Sequence, residues 1–413
     1  MRRHPELLIP ASSLEVLKTA VIFGADAVYI GGEAFGLRAK AKNFSMEEMR
    51  EGIEFAHEHD VKVYVTANIL AHNSDLPEVR KYFEELKRLK PDALIIADPG
   101  VFDIAKEVCP EIERHISTQA NNTNYGTYNF WYRQGASRVV SARELSMKEL
   151  KELRANIPED LEIETFIHGA MCISYSGRCL LSNYFTGRDA NRGACTHPCR
   201  WKYAVVEETR PGEYMPVYEN ERGTYIFNSK DLCMIEHIPE LIDAGIDSLK
   251  IEGRMKTALY VATVARTYRK AIDDYQKDPE LYRQNMPWYL DQISNCTYRK
   301  FTTGFFFGKP DDDAQIYDSN TYVKDYTYLG IVGGTEDGLC RIEQRNKFSV
   351  GETIEIMKPD GRNVEVTVER IVNEDGEEQE SAPHSKQVLY VKLSECPERF
   401  DILRRAENSG DIA

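Results

Sequence analysis

The chain has 413 residues, a formal net charge of −15, 42% hydrophobic and 29% charged residues, a composition typical of a globular protein with about two domains. No run of about 18 apolar residues could span a membrane, and the N-terminus lacks the apolar segment of a secretory signal, so we expect a cytoplasmic protein without membrane contact. The acidic balance excludes a surface that coats nucleic acid in general, because such binding neutralises phosphates with Lys and Arg, but it is compatible with a local basic patch.

Short apolar runs alternate with amphipathic stretches along the first two thirds of the chain. The candidate strands are 6–11, 25–31, 62–68, 93–98, 114–120, 137–143, 161–169 and 247–254. The candidate helices are 12–24, 45–59, 75–89, 99–108, 124–134, 146–156, 234–244 and 256–275. Ser45 with Glu48, and Ser146 with Glu149, have the spacing of the capping boxes that begin helices.

This strict alternation predicts an α/β fold. Parallel strands with helices packed outside close into a (β/α)8 TIM-like barrel when eight such units follow one another. An open doubly wound sheet is the alternative, but no G-x-G-x-x-G follows the first candidate strand. The closed barrel is therefore the predicted architecture.

Composition divides the chain into segments. We predict a barrel domain over 1–275, interrupted by a long Cys-rich insertion at 170–233 after the seventh strand. Residues 276–325 read as a connecting helix and an aromatic arm. From 326 to 400 the sequence alternates apolar and polar residues between turn signals, which predicts a small antiparallel β-barrel, and 401–413 is predicted to be a tail. Loops after barrel strands form the active-site face, so the insertion is where function is expected.

Five of the nine cysteines fall in the insertion: Cys172, Cys179, Cys195, Cys199 and Cys233. Four thiolates from such a loop can hold a tetrahedral zinc ion or an iron-sulfur cluster. Zinc ribbons usually use tight C-x2-C pairs, and none is present, so the wider spacing favours a 4Fe-4S cluster. Zinc and reduced, merely buried cysteines are the alternatives.

Basic side chains concentrate in the same segment. Against the single acid Asp189, residues 171–202 contain Arg178, Arg188, Arg192, Arg200 and Lys202. Guanidinium groups suit phosphates and carboxylates, so these arginines are predicted to bind an anionic substrate or an RNA backbone.

His168 ends the seventh candidate strand and could serve as an acid, a base or a substrate ligand, or hydrogen-bond the loop in a structural role. Glu164 and Phe166 precede it at period two, which predicts that all three side chains share one face of the strand and that the barrel interior holds a carboxylate. Glu252 and Arg254 repeat this relation at the end of the eighth strand, with a buried ion pair as the alternative.

Four more polar residues fall at predicted strand ends: Asn68, Asp98, Gln119 and Arg143. Because the carboxyl ends of parallel barrel strands meet at one mouth, these residues together predict a polar site for a small anionic metabolite.

The stretch "ETFIHGAMCISYSGRCLLS" (164–182) is continued by "GRDANRGACTHPCRWKY" (187–203), "FNSKDLC" (227–233) and "KIEGRMK" (250–256). Together they closely resemble peptidase family U32, over nearly the whole chain. Within that family, "GTYIFNSKDLCMIEHIPELIDAGIDSLKIEGRMK" is most similar to the tRNA hydroxylation protein P branch.

The resemblance implies 5-hydroxylation of the wobble uridine of tRNA, with prephenate or a related carboxylate as cosubstrate and a 4Fe-4S cluster on four cysteines. It also implies tRNA as partner and allows a second U32-family paralogue. Cys172, Cys179 and Cys233 match the family's ligand positions. The fourth ligand is Cys195 or Cys199, and the resemblance favours Cys195. Relatives that hydroxylate ribosomal RNA or act in ubiquinone synthesis keep another RNA or a small molecule open as substrate.

Two other functions compete with RNA hydroxylation. A collagenase-like cysteine peptidase would need a thiolate activated by a base, for which His168 and Cys172 are the candidate pair. No G-x-S-x-G, H-E-x-x-H or papain-type motif supports it. A non-catalytic, zinc-stabilised RNA-binding module is the other alternative, and it would tolerate the loss of Glu164 and Glu252, our candidate catalytic residues beside His168.

Overall fold

The computed structural model describes residues 4–32, 43–171, 230–253, 256–295, 300–308 and 326–407, together with the backbone of 204–205 and 215–216. None of the helices in these ranges is long and apolar enough to cross a membrane.

Eight parallel strands form a closed barrel, which confirms the predicted fold class. The first seven are β1 (Glu6–Pro10), β2 (Ala27–Gly31), β3 (Lys62–Ala67), β4 (Ala93–Ile96), β5 (Glu113–Ile116), β6 (Arg138–Val140) and β7 (Glu162–Gly169). After the short strands β8 (Ala204–Val205), β9 (Met215–Pro216) and β10 (Asp231–Cys233), the eighth barrel strand is β11 (Ser248–Ile251). Each barrel strand pairs with the next, and β11 pairs in parallel with both β7 and β1, which closes the barrel.

Helices connect the strands and cover the barrel. They are α1 (Leu14–Ile22), α2 (Met46–His57), α3 (Leu76–Leu89), α4 (Pro99–Val108), α5 (Tyr125–Gln134), α6 (Met147–Ala155), α7 (Ile238–Asp243) and α8 (Ala258–Lys277). Both predicted capping boxes are present, at Ser45 with Glu48 and at Ser146 with Glu149. Each box satisfies backbone N–H groups that a helix start would otherwise leave unpaired.

Apolar side chains fill two layers of the barrel domain. One layer lies between strands and helices and contains most of the buried aliphatic residues. A smaller cluster lies within the barrel: Leu8, Ala27, Tyr29, Tyr64, Ala93 and Ile95. The remaining interior also contains buried charged residues, among them Arg138, Glu164 and Lys250.

After α8 the chain forms α9 (Pro279–Gln284), α10 (Met286–Ser294) and the short strand β12 (Phe301–Thr302). A second, antiparallel barrel then follows, made of β13 (Tyr326–Glu336), β14 (Leu339–Gln344), β15 (Thr353–Met357), β16 (Asn363–Asn373), β18 (Val388–Leu393) and β19 (Ile402–Ala406), with β17 (Glu378–Gln379) paired to β16.

The last strand corrects one sequence-based boundary, because β19 lies in the segment predicted to be a tail. It pairs with both β13 and β15 and so closes the small barrel. Ile402 and Leu403 are fully buried. Arg404 is also buried and pairs with Glu355, so a basic sequence near the end of the chain is nevertheless core.

The two barrels contact each other through α8. Arg266 on this helix donates to the Lys358 carbonyl at 2.9 Å and to Asn363 Oδ1 at 2.8 Å. On α1, Glu15 pairs with Arg345 of the small barrel. Buried polar contacts of this kind fix the orientation of the two barrels, because breaking one leaves an unpaired polar group away from water.

Candidate active site

The carboxyl ends of the barrel strands gather several of the polar residues predicted from sequence. Asn68 follows β3, Gln119 lies in a 3₁₀ turn after β5, Arg143 follows β6 and Glu252 follows β11. Asp98 belongs to this end too, but its carboxylate caps α4 by accepting from the N–H groups of Gly100 and Val101. Asp98 therefore has a local structural role, because a capping side chain is committed to the helix start.

Arg143 is a basic group of this mouth that is held by three contacts. Its guanidinium lies 3.9 Å from the centroid of the Phe166 ring, donates to the Ala170 carbonyl at 3.1 Å and is 3.6 Å from the Glu252 carboxylate. Arg143 and Glu252 retain only 9% and 13% of their side-chain exposure. A guanidinium held over an aromatic ring and by two further partners has little rotational freedom, so it is already oriented for an anion.

Amide side chains form the opposite part of the mouth. The Asn68 amide nitrogen donates to Ser117 Oγ at 3.3 Å, and Gln119 N–H donates to the same oxygen. Asn122, which sequence reasoning missed, is fully buried, and its amide nitrogen donates to the carbonyls of Ser117 and Val140. The side-chain oxygens of Asn68 and Asn122 are buried without a hydrogen-bond partner. The run "NNTN" directly after a strand end was the available signal for Asn122.

Glu164 lies in the barrel interior, as predicted, but not at the mouth. It is fully buried, 2.6 Å from Lys250 Nζ and 3.2 Å from the Arg138 guanidinium. Arg138 also pairs with Glu6 at 2.5 Å. Arg138 and Glu6 come from the amino-terminal ends of their strands, so this cluster occupies the amino half of the barrel.

The electrostatics of this cluster explain why a carboxylate can be buried there. Burial alone would raise the pKa of Glu164, but attraction from Lys250, Arg138 and His115 outweighs burial and lowers it below its usual value. The same balance holds for Glu6: burial raises its pKa, but the charge and hydrogen bonds of Arg138, with Tyr64 and His115, lower it overall. The expectation that Glu164 is a catalytic residue at the mouth is corrected accordingly, because its carboxylate is paired with two buried cations.

The predicted common face of Glu164, Phe166 and His168 is also wrong. The pairing of β7 with β11 shifts register after Phe166, which pairs with Lys250, so that His168 rather than Ile167 pairs with Ile251. A one-residue bulge reverses the side to which later side chains point. Phe166 faces Arg143 and Lys250.

His168 instead packs on helix α8. Its ring centroid lies 5.5 Å from that of Tyr268, 6.1 Å from that of Tyr260 and 5.6 Å from that of Phe301. The side chain is 1% exposed, and desolvation together with repulsion from Lys256 lowers the pKa of His168 to about 3. The imidazole is therefore neutral at physiological pH.

Cys233 lies beside the end of β7. Strand β10 pairs antiparallel with β7, so that Cys233 is opposite His168 and Leu232 is opposite Gly169. The side chains of Leu232 and Met171 both approach Gly304, where a Cβ would be 3.3 Å from each. The residues that immediately precede Cys172 and Cys233 therefore meet at one point.

The Cys233 thiol is free and half-buried. Its desolvated surroundings raise its pKa to about 11. Its sulfur lies 3.6 Å from the hydroxyl of Tyr268. Such a thiol is unreactive by itself, but a bound metal ion removes its proton outright.

The other predicted site residues lie outside the described residues: Cys172, Cys179, Cys195, Cys199, Arg178, Arg188, Arg192, Arg200 and Arg254. Among the residues that the structure does describe, no group of three or more His, Cys, Asp or Glu side chains is arranged to hold a metal ion.

Comparison with known proteins agrees with the motifs around Cys172 and Cys233. The sequence pattern of peptidase family U32 matches residues 12–316, and that of the U32 C-terminal domain matches residues 324–404. The chain belongs to peptidase family U32. The first matched region of this U32 protein covers the large barrel from α1 onward, and the second covers the small barrel from β13 to Arg404 in β19.

Several U32 relatives carry names that refer to RNA. tRNA hydroxylation protein P1 of Bacillus subtilis is 43% identical over 407 residues, which covers 98% of this chain and 96% of that protein. tRNA hydroxylation protein P of Escherichia coli is 39% identical and covers 94% of both chains. A 23S rRNA 5-hydroxycytidine synthase of Escherichia coli is 33% identical over 77% of this chain and 47% of that protein.

Proposed function

We propose that this U32 protein is an RNA-modifying enzyme that hydroxylates C5 of the wobble uridine of tRNA, with prephenate or a related small carboxylate as a required cosubstrate. The names of its near full-length relatives support tRNA as the substrate. The observation that carries the proposal is that an oriented guanidinium and a predicted cluster ligand both lie beside the carboxyl end of β7: Arg143 donates to the Ala170 carbonyl, and Cys233 is opposite His168. A TIM barrel concentrates its chemistry at that end.

Two features of the described residues support the proposal of a 4Fe-4S cluster at this mouth. Cys233 carries a free thiol, and the residue before it packs with Met171, which directly precedes Cys172. Cys172, Cys179, Cys233 and Cys195, with Cys199 as the alternative to Cys195, would hold the cluster, and zinc is the competing occupant. A bound 4Fe-4S cluster would supply one-electron transfer.

The other mouth residues would bind and orient substrate. Arg143 would hold a carboxylate of the cosubstrate or a phosphate, and Glu252 would fix the guanidinium from its far side. Asn68 and Gln119 lie where a base could be hydrogen-bonded, and the orphaned oxygen of Asn68 is an acceptor for a ligand N–H or O–H group. A wobble base must leave its stack to reach such a pocket.

The insertion would supply the remaining charge. Its residues Arg178, Arg188, Arg192 and Arg200, together with Arg254 after β11 in the sequence, would bind phosphates of the anticodon loop or the carboxylates of the cosubstrate. A cytoplasmic location and a second U32-family paralogue as partner remain predictions of the sequence.

The environment of His168 favours RNA modification over the peptidase alternative. A peptidase would use this imidazole as the base that activates Cys172, and general bases work best with a pKa near the working pH. Burial and Lys256 instead lower the pKa of His168 to about 3, and its ring is enclosed by Tyr260, Tyr268 and Phe301. A base so weak is poorly suited to deprotonate a thiol.

The test combines cofactor analysis with a tRNA assay. Wild-type protein and the five Cys→Ala variants at 172, 179, 195, 199 and 233 are purified without oxygen and analysed for iron, sulfide and visible absorption. We expect a broad band near about 400 nm and roughly four irons per chain. The band should disappear in the Cys172, Cys179 and Cys233 variants and in one of the other two.

The same variants are then returned to cells that lack the gene, and 5-hydroxyuridine in bulk tRNA is measured by mass spectrometry. We expect modification only with cluster-competent variants. Colourless protein with one zinc per chain would exclude the redox mechanism. Unchanged tRNA in the gene-deleted cells, together with casein cleavage abolished by Cys172→Ala, would overturn the proposal in favour of a peptidase.

A further inference from the structure

The hydroxyl of Tyr268 is enclosed by four polar groups at the inner side of strand β10. It lies 3.6 Å from Cys233 Sγ, 3.2 Å from the Ile167 carbonyl oxygen and 3.3 Å from His168 Nδ1, and it accepts the Met234 N–H at 3.2 Å. Tyr268 is fully buried in α8. A tyrosine hydroxyl has a single proton to donate, so the three acceptors among these neighbours, the sulfur, the carbonyl oxygen and Nδ1, compete for it.

The acceptors around the Tyr268 hydroxyl differ in how strongly they attract its proton. The Ile167 carbonyl already accepts the Met234 N–H at 2.9 Å, so it does not require the tyrosine proton. The Ile167 oxygen is a neutral acceptor, and so is His168 Nδ1 in the tautomer that carries its proton on Nε2, whereas a metal-bound cysteine sulfur is an anion that has lost its own proton. Hydrogen bonds to a charged acceptor are about twice as strong as neutral ones. Metal binding at Cys233 would therefore draw the Tyr268 proton to the sulfur.

We propose that Tyr268 donates a hydrogen bond to the cluster-bound sulfur of Cys233 and thereby raises the reduction potential of the cluster. This inference rests on the proposed 4Fe-4S cluster, and it assigns a positioning and tuning role to a residue outside the mouth. The Ile235 backbone amide is a second hydrogen-bonding partner of Cys233, so the sulfur would accept from the main chain and from one side chain.

The direction of the effect follows from charge. Reduction adds negative charge to the cluster and its thiolates, and a donor aimed at a thiolate stabilises the reduced state more than the oxidised state. Because the Tyr268 hydroxyl is buried, water is poorly placed to replace it, and the low local polarity strengthens the bond. Removal of the hydroxyl should make the cluster harder to reduce.

The experiment is a potentiometric titration of anaerobically purified holoprotein, followed by electron paramagnetic resonance of the reduced cluster. Tyr268→Phe removes only the hydroxyl, and the Met234 N–H keeps its bond to Ile167. Tyr282→Phe is the matched control, since Tyr282 is also buried but donates to the Ile235 carbonyl at 2.7 Å. We expect Tyr268→Phe to raise the oxidised-to-reduced ratio of the cluster about tenfold at fixed potential, which is a shift of the reduction potential of about 59 mV to more negative values.

A second measurement does not depend on the stability of Tyr268→Phe. Incorporation of 3-fluorotyrosine at position 268 makes the hydroxyl a stronger donor, so the reduction potential of the cluster should move upward.

A third measurement is electron-nuclear double resonance after exchange into heavy water. Wild type and Tyr282→Phe should show an exchangeable deuteron coupled to the cluster, and this deuteron should be absent in Tyr268→Phe.

The outcomes separate the two proposals. Wild-type protein without iron and sulfide overturns the proposed cluster and this inference with it. A wild-type cluster whose potential is unchanged by both Tyr268→Phe and 3-fluorotyrosine overturns the inference alone and leaves the proposed function standing. An equal shift in Tyr282→Phe would assign the effect to general packing and would also overturn the inference.

Discussion

The amino and carboxyl ends of the barrel interior both contain charged residues, but they hold them differently. At the amino end, Glu164 is fully buried with Lys250 at 2.6 Å and Arg138 at 3.2 Å. At the carboxyl end, Arg143 and Glu252 are 3.6 Å apart and each keeps about a tenth of its exposure. The charged groups at the amino end are buried and bonded to one another. At the carboxyl end, we expect an anionic ligand to be able to replace Glu252 as the partner of Arg143.

This difference separates stability from chemistry within one fold. Removing one partner of a buried ion pair strongly destabilises the fold, and a buried pair is not accessible to substrate. The Arg143–Glu252 pair at the barrel mouth is longer, so an anion can rearrange it with a smaller loss of free energy. A polar residue on an interior strand position is therefore insufficient evidence for catalysis, and its partners decide which of the two roles it has.

The largest expected effect is on stability at the amino end. Arg138→Met should lower the free energy of unfolding by about 3–5 kcal/mol, because it leaves Glu6 and Glu164 as buried charges with less compensation. Urea unfolding measures the change. Arg80→Met is the control, since Arg80 pairs with Glu107 on an exposed surface, and we expect no measurable loss there. Equal stability of the two variants would contradict the closed network.

The second largest effect is expected on turnover rather than on stability. Glu252→Gln should reduce 5-hydroxyuridine formation about 100-fold, equivalent to about 2.7 kcal/mol, with little change in the urea midpoint. Glu164→Gln should do the opposite, lowering the midpoint while the activity per folded molecule is retained. Loss of activity in well-folded Glu164→Gln protein would restore Glu164 as a catalytic candidate.

A smaller effect is expected at Arg143. Arg143→Lys keeps the charge but loses the planar group that stacks on Phe166, so the KM for the small carboxylate should rise about tenfold with kcat nearly unchanged. Steady-state kinetics on tRNA with varied cosubstrate measures it. Arg133→Lys, an exposed change on α5, is the control. A fall in kcat with constant KM would instead place Arg143 at the reacting atoms.

The smallest effect is the acid dependence of stability. Glu6 and Glu164 have folded pKa values below the ordinary value of 4.5, so their contribution is fully present above that pH. As the pH falls further, the unfolded chain takes up protons before the folded protein does, and stability is lost. Urea midpoints should be level from pH 7 to about 5 and fall below about 4.5. In Arg138→Met the fall should be smaller, because loss of the Arg138 charge brings the folded pKa values of Glu6 and Glu164 closer to their unfolded values.

Much of the fold was predictable because its signals are local. Both capping boxes were readable from a serine and a glutamate three residues apart, and the alternation of strands and helices predicted the barrel. Asn68, Arg143 and Glu252 were correctly placed at the strand ends for the same reason. The bulge after Phe166 was not predictable, because a one-residue insertion in a pairing is visible only when both strands are known.

The sequence by itself determined the barrel class, the family and the concentration of cysteines in one segment, since periodicity and motifs are carried by neighbouring residues. Only the tertiary structure decided the partners of the buried charges. Arg138 and Glu6 are separated by 132 positions, and Tyr268 and Cys233 by 35, yet each pair is in contact. Interactions between such distant positions depend on closure of the barrel, which no local pattern specifies.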